Sequence, residues 1–375
     1  MKVAILGTRG IPNHYGGFER LAEYLSAGLV KKGHDVYVYS SHNHYYQEST
    51  WNDVQIVHCY DPEYKLGSAG QFIYDLNCIR DARQKGFDVI LMLGYTSSSV
   101  WGAFYPKESG IVFNMDGMEW KRKKYSVAVK KFLSFAEKLA VRFSDYIIAD
   151  SLIVKSYLES KYSITTRYIA YGAEIFTNEE ENVLKEYGVS KQQYYLCMAR
   201  MVPENNVEII LDGFTVSRSP FHFLVIGDTI NKFGTYLKNK FAADKRIIFA
   251  GGIYDTRICH SLRMFCHLYF HGHSAGGTNP SLLEAMSSRA LIAAHDNAFN
   301  KTILGDDALY FSHSKSITSI IENAKRGCSE MTMISNNLNK VKDQFNWNKI
   351  VEQYENVMLQ CCNGTVKERN LLISK

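Results

Sequence analysis

Short apolar runs, each followed by a loop and then an amphipathic helical stretch, recur along nearly the whole chain, and this alternation constrains the fold more than any other feature. In the first half the runs are KVAIL, DVYVYS, VQIVHCY, DVILML, GIVFNM and DYIIAD. YYLCMAR, FHFLVIGD, RIIFAGG, HLYFHGH and ALIAAHD repeat the pattern in the second half. Helices are predicted over about 18–32, 70–85, 126–143, 206–217, 235–241, 255–265 and 280–288. Apolar runs separated by helices imply parallel strands buried on both faces, so the fold class is α/β. A chain of 375 residues suits two such domains. The expected organisation is a first domain over 1–175, a charged linker over 176–193, a second domain over 194–345 and a C-terminal segment over 346–375.

Composition excludes several classes. Apolar residues make up 46% and charged residues 22%, with six prolines and a net charge of +5, values of a globular chain rather than a disordered or nucleic-acid-binding one. The eight cysteines form no CxxC pair, which argues against structural zinc and for free thiols in a reducing compartment. The start MKVAILG runs directly into a strand, and no apolar run of about eighteen residues occurs. A cytoplasmic location is therefore expected.

Open α/β sheets bind ligands beyond the carboxyl ends of their strands, which directs attention to 7–17, 116–124, 200–206 and 272–284. The last stretch reads GHSAGGTNPSLLE. Gly276 and Gly277 form a flexible turn, Asn279 suits an N-cap and Pro280 the first helical position. A helix start of this kind offers unpaired N–H groups and the positive end of the macrodipole to a phosphate. Glu284, one turn further, is placed to accept hydrogen bonds from sugar hydroxyls; the plain alternative is an ordinary βα connection with a solvated glutamate. In the first half, Gly16 and Gly17 precede another helix start, but the spacing is not GxGxxG and the second strand ends YSSH without an acidic residue, which disfavours a nicotinamide enzyme.

GTRGIPNHYGGFERLAEYLSAGLVKKGHDVYVY resembles the opening of family 4 retaining GT-B glycosyltransferases, YLCMARMVPENNVEIILDGF their entry to the second domain, and LLEAM the end of their E-x7-E motif. GTRGIP, NMDGMEWKR, RMVPENN, GHSAGGTNPSLLEAM and AHDNAFN together resemble the subgroup containing rhamnosyltransferases of bacterial surface polysaccharide assembly. The resemblance implies a GT-B architecture, two Rossmann-like domains with parallel sheets facing across a cleft, and a C-terminal helix returning to the first domain. By position it implies that Gly16 and Gly17 approach the donor diphosphate and that Arg200 pairs with it, a planar guanidinium being suited to two phosphate oxygens at once. Asn205, Gly276, Gly277, Thr278 and Asn279 would line the donor site, Glu284 would bind the ribose, Ile253 and Tyr254 the base, and His273 would lie beside the donor. Two departures stand out. Gly276 occupies the position of the first glutamate of E-x7-E, and Asn205 replaces the lysine of a Glu-Lys-Asn segment.

Asp116, just after GIVFNM, is the preferred group to orient or deprotonate an acceptor hydroxyl, with Glu119 second; the competing reading is an Asx turn in which Asp116 caps the next segment. The basic, aromatic run at 120–125 with Lys130, Lys131, Phe132 and Phe135 suits either a solvated face or contact with anionic lipid. His271 and His273 alternate on one strand, but two ligands make a weak metal site, and no metal or cofactor is expected. The expected activity is transfer of L-rhamnose from dTDP-rhamnose to a lipid-linked saccharide, with retention, at the inner face of the plasma membrane. The alternatives are a nucleotide-sugar epimerase and a nonenzymatic nucleotide-sugar-binding partner.

Overall fold

The computed structural model describes residues 1–14, 16–121, 125–274 and 277–363. The chain divides into two compact units, Met1–Tyr171 with the C-terminal segment from Trp347, and Gly172–Asn346. Residues 176–193 belong to the second unit, where they contain a short helix at Val183–Glu186.

The first unit is built on eight strands: β1 (Lys2–Leu6), β2 (Asp35–Ser41), β3 (Thr50–Trp51), β4 (Val54–Cys59), β5 (Val89–Leu93), β6 (Gly110–Asn114), β7 (Tyr146–Ala149) and β8 (Arg167–Tyr168). They lie in the order β3-β4-β2-β1-β5-β6-β7-β8, all neighbours parallel except β3 against β4. Every residue of β5 and β6 is buried, as expected of strands covered by helices on both faces. The second unit has β9 (Tyr194–Met198), β10 (His222–Ile226), β11 (Ile247–Gly251), β12 (Leu268–His271), β13 (Ile292–His295) and β14 (Leu309–Phe311), in the order β11-β10-β9-β12-β13-β14 and entirely parallel. On one face of this sheet Tyr195, Phe214, Phe223 and Phe270 interlock, with ring centroids 5.1 to 6.2 Å apart.

Polar residues at helix entrances set the ends of several helices. Ser126 accepts from the Val129 N–H, Asp255 from those of Arg257 and Ile258, and Asn279 from that of Ser281, each relieving a donor that the helix itself leaves unpaired. The C-terminal helix Trp347–Asn363 packs on the helix Gly17–Lys31 and on β6. Trp347 stacks on Tyr24 at 4.4 Å, and Glu355 accepts from Lys32 Nζ at 2.7 Å and pairs with His34 Nε2 at 2.8 Å. Among the described residues no helix is long and apolar enough to cross a membrane.

Candidate functional site

At the carboxyl end of the second sheet, asparagine amides tie neighbouring loops together. Asn205 Nδ2 donates to the Arg200 carbonyl at 2.8 Å, and Asn206 Nδ2 reaches the Gly272 carbonyl at 2.8 Å. The N–H and Oγ of Ser274 both donate to the Glu204 carbonyl. Gly272 must be glycine, because a Cβ there would lie 2.1 Å from the Asn205 carbonyl oxygen. On the other side, Asn297 and Asn300 donate to the His273 carbonyl at 3.0 and 3.2 Å and also to that of His295. The loops after β9, β12 and β13 thus form one hydrogen-bonded rim.

Two groups on this rim suit an anion. Arg200 is exposed at the end of β9 and, among the described residues, pairs with no carboxylate. Asn279 caps the helix Pro280–Ser287, accepting from the Ser281 N–H at 2.9 Å, so the helix start lies where the sequence places it. Thr278 is buried beside it and Gly277 half-buried; Gly276 lies outside the described residues. The imidazoles of His271 and His273 stack at 4.4 Å. Burial first and the Arg200 guanidinium second push His273 down to about 4, and burial holds His271 well below the usual histidine range. Both rings are therefore neutral at pH 7. Among the described residues neither ring nitrogen of His271 has a hydrogen-bond partner.

Glu284 meets a partner that the sequence did not suggest. Its Oε2 lies 2.7 Å from Nη2 of Arg263, a residue 4% exposed on the helix Thr256–Phe265. Burial alone would lower the Arg263 guanidinium, but the neighbouring Glu284 keeps it firmly charged. The carboxylate intended for sugar hydroxyls thus already carries one strong, charge-assisted bond, and its orientation is fixed by it. Tyr254 is 66% exposed after β11, and the Ile253 carbonyl accepts from the Cys259 thiol.

In the first unit, Asp116 follows β6 with φ of 52°, a left-handed conformation that aspartate tolerates better than most side chains. Asn114 makes an Asx turn: its Oδ1 accepts from the Asp116 N–H at 3.1 Å, while its Nδ2 donates to Tyr354 Oη at 2.6 Å. A hydrogen-bonded chain thus runs from the C-terminal helix to the backbone of Asp116. Glu119 opens a 3-10 turn, Glu119–Lys121, and its Oε2 lies 3.5 Å from Tyr125 Oη. Trp120 Nε1 donates to buried Glu137, which also accepts from Tyr157, Lys161 and Tyr162. In the basic run, Arg122, Lys123 and Lys124 lie outside the described residues; Lys131 and Phe135 are exposed.

The helix start at Gly16 and Gly17 is already faced by a carboxylate of the chain. Glu19 is 8% exposed and accepts from the Arg9 N–H at 3.0 Å. Gly16 has φ of 134°, and a Cβ there would lie 1.8 Å from Glu19 Oε2. Burial, opposed by these backbone N–H groups, raises the Glu19 carboxyl above its usual range. Among the described residues no three His, Cys, Asp or Glu side chains gather as a metal ligand set.

The fold is shared with solved structures. Sucrose-phosphate synthase from Thermosynechococcus elongatus superposes with a TM-score of 0.76 at 14% identity, covering 96% of this chain and 98% of that one. Anabaena HepE in complex with UDP-glucose gives 0.75 at 16% identity, covering 96% and 100%. A glycosyltransferase from Rickettsia africae gives 0.72 at 12%, covering 97% and 100%. The fold is GT-B. Residues 1–174 match a family described as Domain of unknown function (DUF1972). No curated protein matches the chain.

Proposed function

We propose that the chain is a family 4 glycosyltransferase that moves a sugar, L-rhamnose from dTDP-rhamnose, to a hydroxyl of a lipid-linked saccharide with retention, in surface polysaccharide assembly at the inner face of the plasma membrane. The observation that carries this reading is the rim of the second sheet. It combines an exposed arginine that pairs with no carboxylate among the described residues and a capped helix start on loops held together by amide hydrogen bonds. Such a rim suits a diphosphate, whose charge rises as the sugar leaves. The GT-B fold supports it, and HepE, of the same fold, is known in complex with UDP-glucose. The choice of rhamnose and of a lipid-linked acceptor rests on the motif resemblance, and the exposed Lys131 and Phe135 suit contact with anionic lipid.

In this reading Arg200 neutralises the leaving diphosphate, with the helix start at Asn279 adding N–H donors. Gly16, Gly17, Asn205, His273, Gly277 and Thr278 shape the surrounding backbone, Glu284 accepts from the ribose with its orientation set by Arg263, and Ile253 and Tyr254 flank the base. Asp116 orients the acceptor hydroxyl and takes its proton, with Glu119 in support. No metal is assigned a role.

A screen of dTDP-rhamnose and UDP-glucose against the purified chain, reading donor binding and nucleoside diphosphate release with a lipid-linked N-acetylglucosamine acceptor, tests the reading. Arg200→Ala removes a bidentate, charge-assisted contact and is expected to weaken donor binding about a hundredfold. Unchanged donor affinity in that variant would remove the rim from the proposal. Isomerised sugar from donor alone would instead favour an epimerase, and donor binding without turnover a nonenzymatic partner.

A further inference from the structure

His271 ends β12 and His273 follows two residues on, so an extended chain sends both rings to one side. Their imidazoles stack at 4.4 Å with 16° between the planes. His271 is buried and His273 half-buried at the rim. Besides the two nitrogens of His271, the enclosed Nδ1 of His273 also lacks a hydrogen-bond partner among the described residues. A neutral imidazole has one donor and one acceptor, and leaving them unmet in the interior is costly, so a pair of such rings calls for a reason. The main chain cannot readily shift to supply partners, because the His273 carbonyl is held by the amides of Asn297 and Asn300.

The charged and titratable groups around the pair come from several elements. Arg200, after β9, acts on His273. Arg263, on the helix Thr256–Phe265, and His295, on β13, act on His271. Burial holds His295 below the usual histidine range, so it too is neutral at pH 7. The nearby carboxylates are already matched: Glu284 by Arg263 at 2.7 Å, and Asp296 by Lys301 of the helix Ala298–Leu304 at 2.7 Å. With the rim empty, a proton on His273 would face the Arg200 charge with no anion to offset it. An anion bound beside Arg200 reverses that balance, since an opposite charge within about 4–6 Å favours the protonated ring.

The diphosphate of a nucleotide sugar carries one negative charge on each phosphorus, and Arg200 supplies one positive charge. We propose that His273 takes up a proton as a nucleotide sugar binds, so that the imidazolium and the Arg200 guanidinium together match the two phosphates, with His271 remaining neutral behind the charged ring. That a diphosphate comes to this rim rests on the transferase reading; the proton linkage rests on the stacked, unpartnered rings beside Arg200. Linkage is reciprocal: if the bound anion favours the proton, the proton favours the bound anion, and affinity rises as pH falls. His273 starts at about 4 in the empty rim. A rise of about two units on binding, the usual scale for an adjacent opposite charge, makes donor binding about fourfold tighter at pH 5.5 than at pH 7.5.

Isothermal titration of the full-length chain with dTDP-rhamnose and with UDP-glucose tests this, at pH 7.5 and 5.5 and at each pH in two buffers of different ionisation enthalpy. Nucleotide sugars are the right probes because a nucleoside diphosphate ends in a phosphate that itself titrates near 6. The dependence of the measured heat on the buffer gives the protons taken up. About half a proton or more is expected at pH 5.5 and almost none at pH 7.5, with the affinity rising about fourfold between them. His273→Gln keeps a hydrogen-bonding side chain that cannot take the proton; it should bind with no uptake and with equal affinity at both pH values, and His273→Asn serves if the glutamine variant does not fold. Binding by the parent without uptake at pH 5.5 overturns the proposal and leaves the transferase reading standing, as does uptake that persists in the variant. If neither nucleotide sugar binds at either pH, the transferase reading falls and the proposal with it.

Discussion

The carboxyl end of the first sheet is furnished with carboxylates, Glu19, Asp61, Glu63, Asp116 and Glu119, whereas that of the second carries Arg200, the stacked His271 and His273, and a set of asparagine amides. The two sheets share one strand-helix grammar, so the contrast comes from their loops. An edge rich in acceptors favours hydroxyl donors, and an edge with a cation and a helix start favours an anion. On the second edge Glu284 is balanced by Arg263 and Asp296 by Lys301. Polarity, more than topology, distinguishes the two units.

The sharpest way to break this contrast is at Asp116. Asp116→Asn keeps the shape and removes the base, and turnover is expected to fall about 10²- to 10⁴-fold with donor binding retained; lost donor binding in a calorimetric titration would move Asp116 to the other substrate. Arg263→Met leaves Glu284 nearly buried without its cation and should cost about 3–5 kcal/mol of stability by urea unfolding. Arg263→Met with Glu284→Leu should recover most of that loss, because no charge is then stranded.

Acid separates the two edges by another route. His273 titrates near 6.5 when unfolded and about 4 when folded, so between these values the unfolded chain binds the extra proton. The stability contributed by keeping His273 neutral is intact above pH 6.5 and is lost progressively as the pH falls through 4, by ~3 kcal/mol. Unfolding midpoints at pH 7, 5.5 and 4.5 should drop accordingly, and His273→Gln should flatten that slope. The smallest effect is expected at Tyr354→Phe, which strands the Asn114 amide and should cost about 1–2 kcal/mol. Activity should fall alongside if Asn114 holds Asp116 in its left-handed turn; unchanged kcat would show that the turn stands without it.

Much of the architecture was legible because the relevant signals are local. Ser126, Asp255 and Asn279 are polar residues directly before apolar periodic stretches, and each caps the helix that the pattern announces. The helix Lys232–Lys240 begins three residues before the predicted 235, because Asn231 caps it by accepting from the Gly234 N–H. The strands β3 and β8 have two residues each, too few to show any period. Position was legible where structure follows chain order, as at Asn279 before its helix. Arg263 was invisible for the opposite reason. It sits inside a helix, and its pairing with Glu284 exists only after two helices pack. Asn297 and Asn300 show the same limit, since an asparagine beside a strand end reads as a cap, and the carbonyl reached by its amide depends on the neighbouring loop.

The amide ties among Asn205, Asn206, Asn297 and Asn300 also bear on the entropy of recognition. Loops that are free in the unliganded state must surrender their conformational freedom when a ligand arrives, and affinity suffers by that amount. Here the carbonyls of Arg200, Gly272, His273 and His295 are already held by side chains of the same rim. For these four carbonyls the ordering is completed on folding, so a ligand bound at the rim, as proposed, would spend less of its interaction energy on fixing them.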